Sequence, residues 1–400
     1  MKSVDRGPHD RPRISVVMAN FEAGAKIVPA LRSVLAQSMA DLDVIVSDDA
    51  SRDNSVALVR EMMAADPRIR LVAGAANRGP AHCRNQALDI ARGEWVAVVD
   101  SDDIIHPERF ERLLAAAAVH GADIVADDLL LFHEDGSPPS LMLGEAANAS
   151  FTVSPKDWVL AGMDGSPALG YLKPMMRADR LKQLRYDQSL RIGEDYDFVL
   201  RLLMAEANML VVPEPFYLYR RHSASISHRL SVPDMRAMLE RQDALAAENS
   251  SLSRELSAAF AKRRSMLKTG LAYEKLVASI KARQPAEALS ILARDPSHLG
   301  RLWTSFAEGR TRRDERQVAP KRPETITLGG QGTPDVEHVV PDYVPAHLVD
   351  WSAPGSRLVW RDLAAHANGR CIAVDDAGRY AAGFIPEAIL VRPELLRRAS

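Results

Sequence analysis

Cysteine is scarce in this chain of 400 residues, which contains only Cys83 and Cys371. Two cysteines so far apart make neither a disulfide framework nor a zinc site, and we expect both to be reduced. The formal net charge is only -2 at pH 7, which gives no reason to expect a nucleic-acid partner. Residues 1–13 are polar and lack the apolar centre of a signal peptide. No apolar run reaches the length of a membrane span. We therefore expect a cytoplasmic protein, with any membrane contact peripheral.

Two phosphate-binding sequence patterns are also missing. The first predicted turn, residues 19–24, has no G-x-G-x-x-G pattern, and the Walker pattern is absent too. This argues against a NAD-type or a P-loop nucleotide site. A hydrophobic fraction of 46% is ordinary for a globular protein, and the length predicts one large domain with an appendage.

Strands and helices alternate through the first hundred residues. β-branched and apolar runs predict strands, and apolar residues at helical spacing, with Asp53 as a predicted cap, indicate helices between them. This alternation predicts an α/β fold with a mostly parallel sheet and helices on both faces. Ligands of such sheets bind outside the carboxyl ends of the strands. The predicted strands are 14–19, 42–46, 69–72 and 95–99.

The fourth predicted strand ends in a run of carboxylates. Residues 96–103 read V-A-V-V-D-S-D-D, and in a strand Asp100 and Asp102 share a face. Two nearby carboxylates repel each other unless a positive charge lies between them, and a divalent cation is the natural candidate. The alternative is that these acidic residues cap the following helix, which has Pro107 near its first turn.

Three motifs occur in a characteristic order. Residues 46–53 read V-S-D-D-A-S-R-D, residues 77–85 read N-R-G-P-A-H-C-R-N, and residues 92–103 lead from R-G-E-W into D-S-D-D. They resemble the V-D-D-x-S-x-D, N-x-G…A-R-N and G-x-(Y/W)…D-S-D-D motifs of family 2 glycosyltransferases with the GT-A fold. The resemblance covers about residues 13–228, and is loose over 140–170. One departure is Phe21-Glu22, where the family often has Tyr-Asn.

The resemblance implies a site for a nucleotide-sugar, with a UDP-sugar expected. Asp48 or Asp49 would hydrogen-bond the nucleobase, most often uracil, while Phe21 lies against its face. The alternative is that the two aspartates only form a turn at a strand end. Arg84 would contact the base or the diphosphate, although a single helical arginine also fits a surface ion pair. The donor-binding residues implied are Phe21, Asp48, Asp49, Asn77, Arg84, Asp100 and Ser101.

The resemblance also implies a divalent metal, Mn²⁺ or Mg²⁺. Asp102 would be its main ligand, and Asp100 would hold the ribose or the metal. His222 lies in a segment similar to the family's Y-R-x-H-x-x-S-x-S. It would be a third metal ligand or a phosphate donor, and the alternative is a solvated loop histidine. The metal would neutralise the diphosphate as it leaves.

A second acidic pair opens a helix later in the chain. Residues 191–198 read R-I-G-E-D-Y-D-F, and helix openings attract carboxylates through the helix dipole alone. The family, however, has a Glu-Asp pair here. The resemblance makes Asp195 the general base that takes a proton from the acceptor hydroxyl, and Glu194 a residue that orients the acceptor. A single displacement with one base inverts the anomeric centre.

The remainder of the chain is helical and then irregular. A weak heptad pattern predicts helices that either pack back on the first domain or form a homodimer contact. The pattern's members are Met238, Leu245, Leu252, Ala259 and Met266. Residues 310–323 are basic and contain proline, which indicates a linker or a contact with an anionic membrane. Residues 371–385 are predicted to form a hairpin.

These observations predict five regions. They are a disordered tail (1–12), a GT-A domain (13–230), a helical region (231–309), a linker (310–345) and a small C-terminal region of unknown role (346–400).

The whole layout is similar to bacterial exopolysaccharide transferases of the succinoglycan type. The expected function is therefore non-processive, inverting transfer of one sugar from a nucleotide donor to a saccharide or lipid-linked oligosaccharide. Two alternatives are a sugar nucleotidyltransferase and a non-catalytic scaffold that binds nucleotide-sugar or carbohydrate.

Overall fold

A computed structural model of the chain describes residues 11–133, 139–221, 230–249, 252–303, 325–328, 370–373 and 389–391. Ten strands of these residues form one sheet in the order β3-β2-β1-β4-β9-β6-β10-β5, with β7 beside β6 and β8 beside β10. These strands are β1 (Ile14–Asn20), β2 (Leu42–Asp48), β3 (Ile69–Ala73), β4 (Trp95–Val98), β5 (Ile104–Ile105), β6 (Ile124–His133), β7 (Ser140–Leu141), β8 (Phe151–Val153), β9 (Met175–Arg177) and β10 (Met209–Arg221).

Most of the sheet is parallel, as the sequence predicts. Strand β1 pairs in parallel with β2 on one side and with β4 on the other. Strand β9 is the exception at the centre, since it runs antiparallel between β4 and β6. Because β1, β2 and β4 run the same way, the polar residues that follow them lie along one edge of the sheet.

The helices lie where apolar residues recur at helical spacing. In α1, Ile27, Leu31 and Val34 are buried against the sheet. Helix α3 begins with Pro80 at its first position, directly after Gly79, whose φ of 90° favours glycine. The helix that Asp53 was predicted to cap begins after Asn54, while the Asp53 carboxylate accepts from the backbone N–H of Ser55. The helices of this part are α1 (Ile27–Leu35), α2 (Ser55–Ala65), α3 (Pro80–Ile90), α4 (Arg109–His120), α5 (Pro155–Leu160), α6 (Ala178–Leu181) and α7 (Glu194–Met204).

The helical region includes α8 (Val232–Glu248), α9 (Arg254–Lys281) and α10 (Pro285–Arg294), and residues 298–303 are helical as well. The heptad does not run through one continuous helix, because α8 ends at Glu248 and α9 starts only at Arg254. The two helices pack against each other, and α9 also packs on α5. Leu245, Ala259 and Phe260 belong to the same hydrophobic core as the sheet. The helices therefore pack back on the first domain, while a homodimer contact and the domain boundary at 230 stay predictions.

Three short strands towards the C-terminus form a separate parallel sheet, in the order β11 (Thr325–Leu328), β12 (Arg370–Ala373) and β13 (Ile389–Val391). Strand β11 falls inside the predicted linker, so that linker includes a strand. The predicted hairpin over 371–385 is wrong for its first strand, because β12 has parallel partners on both edges. The turn of that predicted hairpin lies outside the described residues, as do residues 1–10 of the predicted disordered tail.

Within the described ranges, every helix is too short or too polar to cross a membrane. Cys83 is free and buried in α3, and burial raises the pKa of its thiol to about 12. A thiol held in this way is an inert core residue.

Candidate active site

The centre of the candidate site is a cluster of five charged side chains, which we call the charge cluster. Two cations lie among three carboxylates, so its formal charge is -1. The members come from α3, from the loop after β4, from the loop before β9 and from the first turn of α7. They are Arg84, Asp100, Lys173, Glu194 and Asp195.

Arg84 joins all three carboxylates of the charge cluster. Its Nη2 lies 3.0 Å from Asp100 Oδ1, and its Nη1 lies 2.6 Å from Glu194 Oε1 and 3.1 Å from Asp195 Oδ1. Burial alone would lower the pKa of this guanidinium. The surrounding carboxylates raise it instead, and the largest of their contributions comes from Asp195. The arginine is buried, so the alternative of a surface ion pair does not describe it.

Lys173 makes a second bridge between Asp100 and Asp195. Its Nζ lies 2.8 Å from Asp100 Oδ2 and 3.1 Å from Asp195 Oδ2. Burial alone would lower the pKa of this ammonium, but the two carboxylates raise it well above the usual value. Burial alone would raise the pKa of Asp100, but the charges of Lys173 and Arg84 outweigh that effect. The net result is a lowered pKa. The contacts therefore keep Asp100 ionised and Lys173 charged.

Sequence reasoning missed Lys173. The residue stands between Leu172 and Pro174-Met175-Met176, so a single charge in an otherwise apolar run was the available signal. Its position depends on Arg109, which is fully buried, pairs with Asp127 at 2.7 Å and donates to the backbone oxygen of Lys173. Burial raises the pKa of Asp127, although the charge of Arg109 acts to lower it.

Glu194 and Asp195 lie at the start of α7, directly after Gly193, whose φ of 88° is in the left-handed region. Glu194 is only 7% exposed and is held by Arg84. Burial, and next the charge of Asp195, raise the pKa of its carboxyl. Asp195 is more accessible than Glu194, with 16% of its side chain exposed against 10%. The structure thus brings Asp195 to the same cleft as Asp100, although the two residues are far apart in the sequence.

The acidic turn after β4 is held by residues of strand β10. The Tyr217 hydroxyl accepts from the backbone N–H of Asp100 and donates to Asp103 Oδ2 at 2.8 Å. The backbone N–H of Arg220 also donates to Asp103, and its Nε donates to the backbone oxygen of Asp102. Burial, together with the charges of Asp102 and Asp100, raises the pKa of Asp103 well above its usual range. Tyr217, Arg220 and Asp103 therefore shape the turn.

The charges of this turn fit a divalent cation. Asp100 and Asp102 supply oxygen ligands of the kind that Mg²⁺ and Mn²⁺ prefer, and such sites are commonly completed by substrate phosphates. The described residues contain no cluster of three His, Cys, Asp or Glu side chains arranged to hold a metal ion. Both oxygens of Asp100 already contact the cations of the charge cluster, and the predicted metal ligation by Asp100 and Asp102 stays a prediction. His222 lies outside the described residues.

The two predicted base-binding aspartates have protein partners. The Asp48 carboxylate accepts from Asn20 Nδ2 at 2.6 Å and from the N–H and hydroxyl of Ser51. The Asp49 carboxylate accepts from the backbone N–H groups of Arg78 and Gly79, at 2.7 and 2.8 Å. These bonds form the strand-end turns that the alternative predicts, and binding of a nucleobase stays a prediction.

The other predicted donor residues lie in varied settings. Phe21 is 46% exposed, so its ring is available to an aromatic ligand. Asn77 is exposed in the loop that Asp49 fixes. Ser101 is buried in the acidic turn. Their contact with a donor stays a prediction.

Comparison with known proteins identifies the family. Residues 15–156 match the family described as "Glycosyl transferase family 2". Over 342 residues the chain is 32% identical to the succinoglycan biosynthesis protein ExoO of Rhizobium meliloti strain 1021, covering 81% of this chain and 94% of that protein. The chain belongs to glycosyltransferase family 2. This glycosyltransferase is also 32% identical over 259 residues to ExoU of the same organism, covering 62% of this chain and 72% of ExoU.

The fold is an α/β fold of the GT-A type, with a central sheet and flanking helices. Among solved structures, the mannosyltransferase PcManGT of Pyrobaculum calidifontis, in complex with GDP-Man and Mn²⁺, has a TM-score of 0.48 and 16% identity. That comparison covers 77% of this chain and 85% of PcManGT, and it is too distant to assign a ligand here. Family membership makes the chain an enzyme, so the nucleotidyltransferase and the non-catalytic scaffold are not supported.

Proposed function

We propose that this glycosyltransferase moves one sugar from a nucleotide-diphosphate donor, expected to be a UDP-sugar, to a saccharide hydroxyl with inversion. The observation that carries the proposal is the double bridge from Asp100 to Asp195 through Arg84 and Lys173. It supports a cleft in which the donor's diphosphate and the attacking hydroxyl are both within reach of charged groups.

Asp195 is the proposed general base. Both of its oxygens lie 3.1 Å from a cation, so its carboxylate is held in place within the charge cluster. The acceptor hydroxyl gives its proton to Asp195 as its oxygen attacks the anomeric carbon, and the nucleotide diphosphate leaves on the opposite face. One displacement of this kind inverts the anomeric centre.

Glu194 has a different role from the one predicted from the sequence. Because it is buried and 2.6 Å from Arg84, it is better suited to positioning that arginine than to orienting the acceptor. Arg84 and Lys173 then face a leaving diphosphate as fixed positive charges in a buried site, where electrostatic stabilisation is strongest. We propose that Phe21 and the loop fixed by Asp49 receive the nucleobase.

A divalent metal, Mg²⁺ or Mn²⁺, would be held mainly by Asp102, with Asp100 beside it. When bound, it supplies positive charge that neutralises the departing diphosphate. Asp103, Tyr217 and Arg220 hold the turn that carries these ligands.

The acceptor is proposed to be a lipid-linked oligosaccharide of exopolysaccharide synthesis. The support is the likeness to two proteins named for succinoglycan biosynthesis. A second support is a set of exposed apolar side chains at the end of the helical region, where Leu289, Leu299 and Trp303 are 66%, 56% and 79% exposed. Arg294 and Arg301 are exposed beside them in the sequence. Apolar and basic groups together suit peripheral contact with an anionic membrane.

Two experiments test the proposal. In the first, the chain is incubated with UDP-sugars and a saccharide acceptor, with Mn²⁺ or Mg²⁺ and then with chelator. Metal-dependent UDP release that requires the acceptor is expected, whereas pyrophosphate release would contradict sugar transfer.

In the second experiment, sedimentation with vesicles is compared for the chain and Trp303→Ala. Binding to anionic vesicles that weakens in the variant is expected, and equal sedimentation of both would contradict the membrane contact.

A further inference from the structure

A pocket separate from the donor cleft lies between α7, α8 and α9. It is lined by both polar and apolar side chains. Its floor includes Gly193 and Tyr196, so it borders the residues on either side of the Glu194-Asp195 pair. Its other walls come from the helical region and include Arg263 and Gln242.

Arg263 is the unusual member of this pocket. Its side chain is only 7% exposed, and its guanidinium carbon lies 3.8 Å from the centre of the Tyr196 ring. The ring covers one face of the guanidinium, and the buried Nε has no acceptor in the described part of the chain. Burial lowers the pKa of this arginine, and among the described residues the opposing effect comes from Tyr196 rather than from a carboxylate. A buried charge without a counter-ion is costly, so it calls for an anion.

Tyr196 adds a second unmatched donor. Its hydroxyl is buried and has no hydrogen-bond partner within the described ranges. Its ring is fixed between the guanidinium of Arg263 and the indole of Trp158, whose ring centre is 5.9 Å away. The side chain is therefore held rigidly with its O–H in the protein interior. Burial raises the pKa of this hydroxyl to about 12, so it remains a donor.

The remaining charges of the pocket are already matched. Arg241 pairs with Asp197 at 2.8 Å, and Asp197 also pairs with Arg201 at 2.8 Å. Gln242 donates through Nε2 to the backbone oxygen of Phe260, and its buried Oε1 has no partner among the described residues. The unmatched charge of the pocket is thus positive and belongs to Arg263.

We propose that this pocket binds a small anion, either a chloride ion or a carboxylate or phosphate group, through the Arg263 guanidinium and the Tyr196 hydroxyl. The anion would tie α9 to the first turn of α7, one residue away from Asp195. The site is distinct from the donor cleft, and its occupation does not depend on the reaction that the cleft performs.

Thermal unfolding of the full chain tests this site. The protein is titrated separately with sodium chloride, sodium acetate and sodium phosphate, together with Arg263→Met and the matched control Arg264→Met. Arg264 is the next residue on the same helix, exposed and paired with Asp243, so its removal changes the net charge equally. General salt effects are therefore common to both variants. The anion that raises the Tm of Arg264→Met more than that of Arg263→Met identifies the class of ligand.

A rise in Tm that follows the logarithm of anion concentration above the Kd is expected for the natural chain and Arg264→Met, about 5 °C at 100 times the Kd, and no such rise beyond the general salt effect for Arg263→Met. The same rise in Arg263→Met, or no rise in the natural chain beyond that of Arg263→Met, overturns the proposal. If Arg263→Met does not fold, Tyr196→Phe decides, because it keeps the ring and both charges. Loss of the hydroxyl is expected to weaken anion affinity about tenfold or more, and an unchanged Kd overturns the proposal.

Discussion

Replacement of Lys173 by methionine is the most informative test of the charge cluster. Lys173 is buried and contacts Asp100 and Asp195 at 2.8 and 3.1 Å. Methionine has a similar length and removes only the charge. The formal charge of the cluster then changes from -1 to -2, and Asp100 and Asp195 lose their second bridge while Arg84 still contacts both.

The expected cost follows from this geometry. Removal of one partner of a buried ion pair typically destabilises a protein by about 3–5 kcal/mol. The lower end, about 3 kcal/mol, is expected here because Arg84 remains beside both carboxylates. Part of this cost comes from the buried negative charge that is left unpaired. It should therefore be recovered when Asp100 is also replaced by asparagine, which restores a formal charge of -1.

Urea unfolding of a double-mutant cycle measures this effect. The proteins are the natural chain, Lys173→Met, Asp100→Asn and the double variant, with Lys156→Met as a control that removes an exposed lysine. We expect the double variant to be more stable than the sum of the single effects by about 1 kcal/mol or more, and the control to unfold like the natural chain. Additive effects of Lys173→Met and Asp100→Asn would refute the coupling.

Three further results are expected. Arg109→Met leaves the carboxylate of Asp127 buried without its partner, so urea unfolding should report a loss of about 3–5 kcal/mol, and a loss below 1 kcal/mol would contradict the buried pair. Asp102→Ala should abolish the effect of Mn²⁺ on UDP affinity in calorimetry, and an unchanged metal effect would remove Asp102 from the ligand set. Hydrogen bonds from Arg191 lower the pKa of Asp234 to about 2, so their contribution is complete above pH 4 and is lost as the pH falls towards 2. The stability difference between the natural chain and Asp234→Asn should accordingly shrink between pH 4 and pH 2, and a difference independent of pH would contradict the pairing.

The sequence predicted the first half of the sheet well, because buried parallel strands are continuous apolar runs that end in turn residues. Strand β4 was predicted to end before Asp100, and it does. The antiparallel strand β9 was not anticipated, since Met175–Arg177 is only three residues long and its place depends on contacts with β4 and β6. Short strands of this kind take their position from tertiary pairing rather than from local preference.

The candidate site was predicted less completely than the fold. Asp100 and Asp195 each stood out as a carboxylate at the end of a strand or the start of a helix. Lys173 did not stand out, because its role is set by two residues that are distant in the sequence. The same holds for Arg263, a charged residue on a long polar helix, whose contact with Tyr196 joins two elements that are distant in the sequence. Contacts between distant elements are not encoded in local patterns.

The measurement that tests the central proposal most directly is the turnover of Asp195→Asn with the donor found by screening and a saccharide acceptor. Asp179→Asn, an exposed aspartate with the same substitution, is the control. If Asp195 is the base, kcat should fall by about a hundredfold or more while the Kd of UDP with Mn²⁺ changes less than threefold. Turnover in Asp195→Asn equal to that of the control would contradict the account.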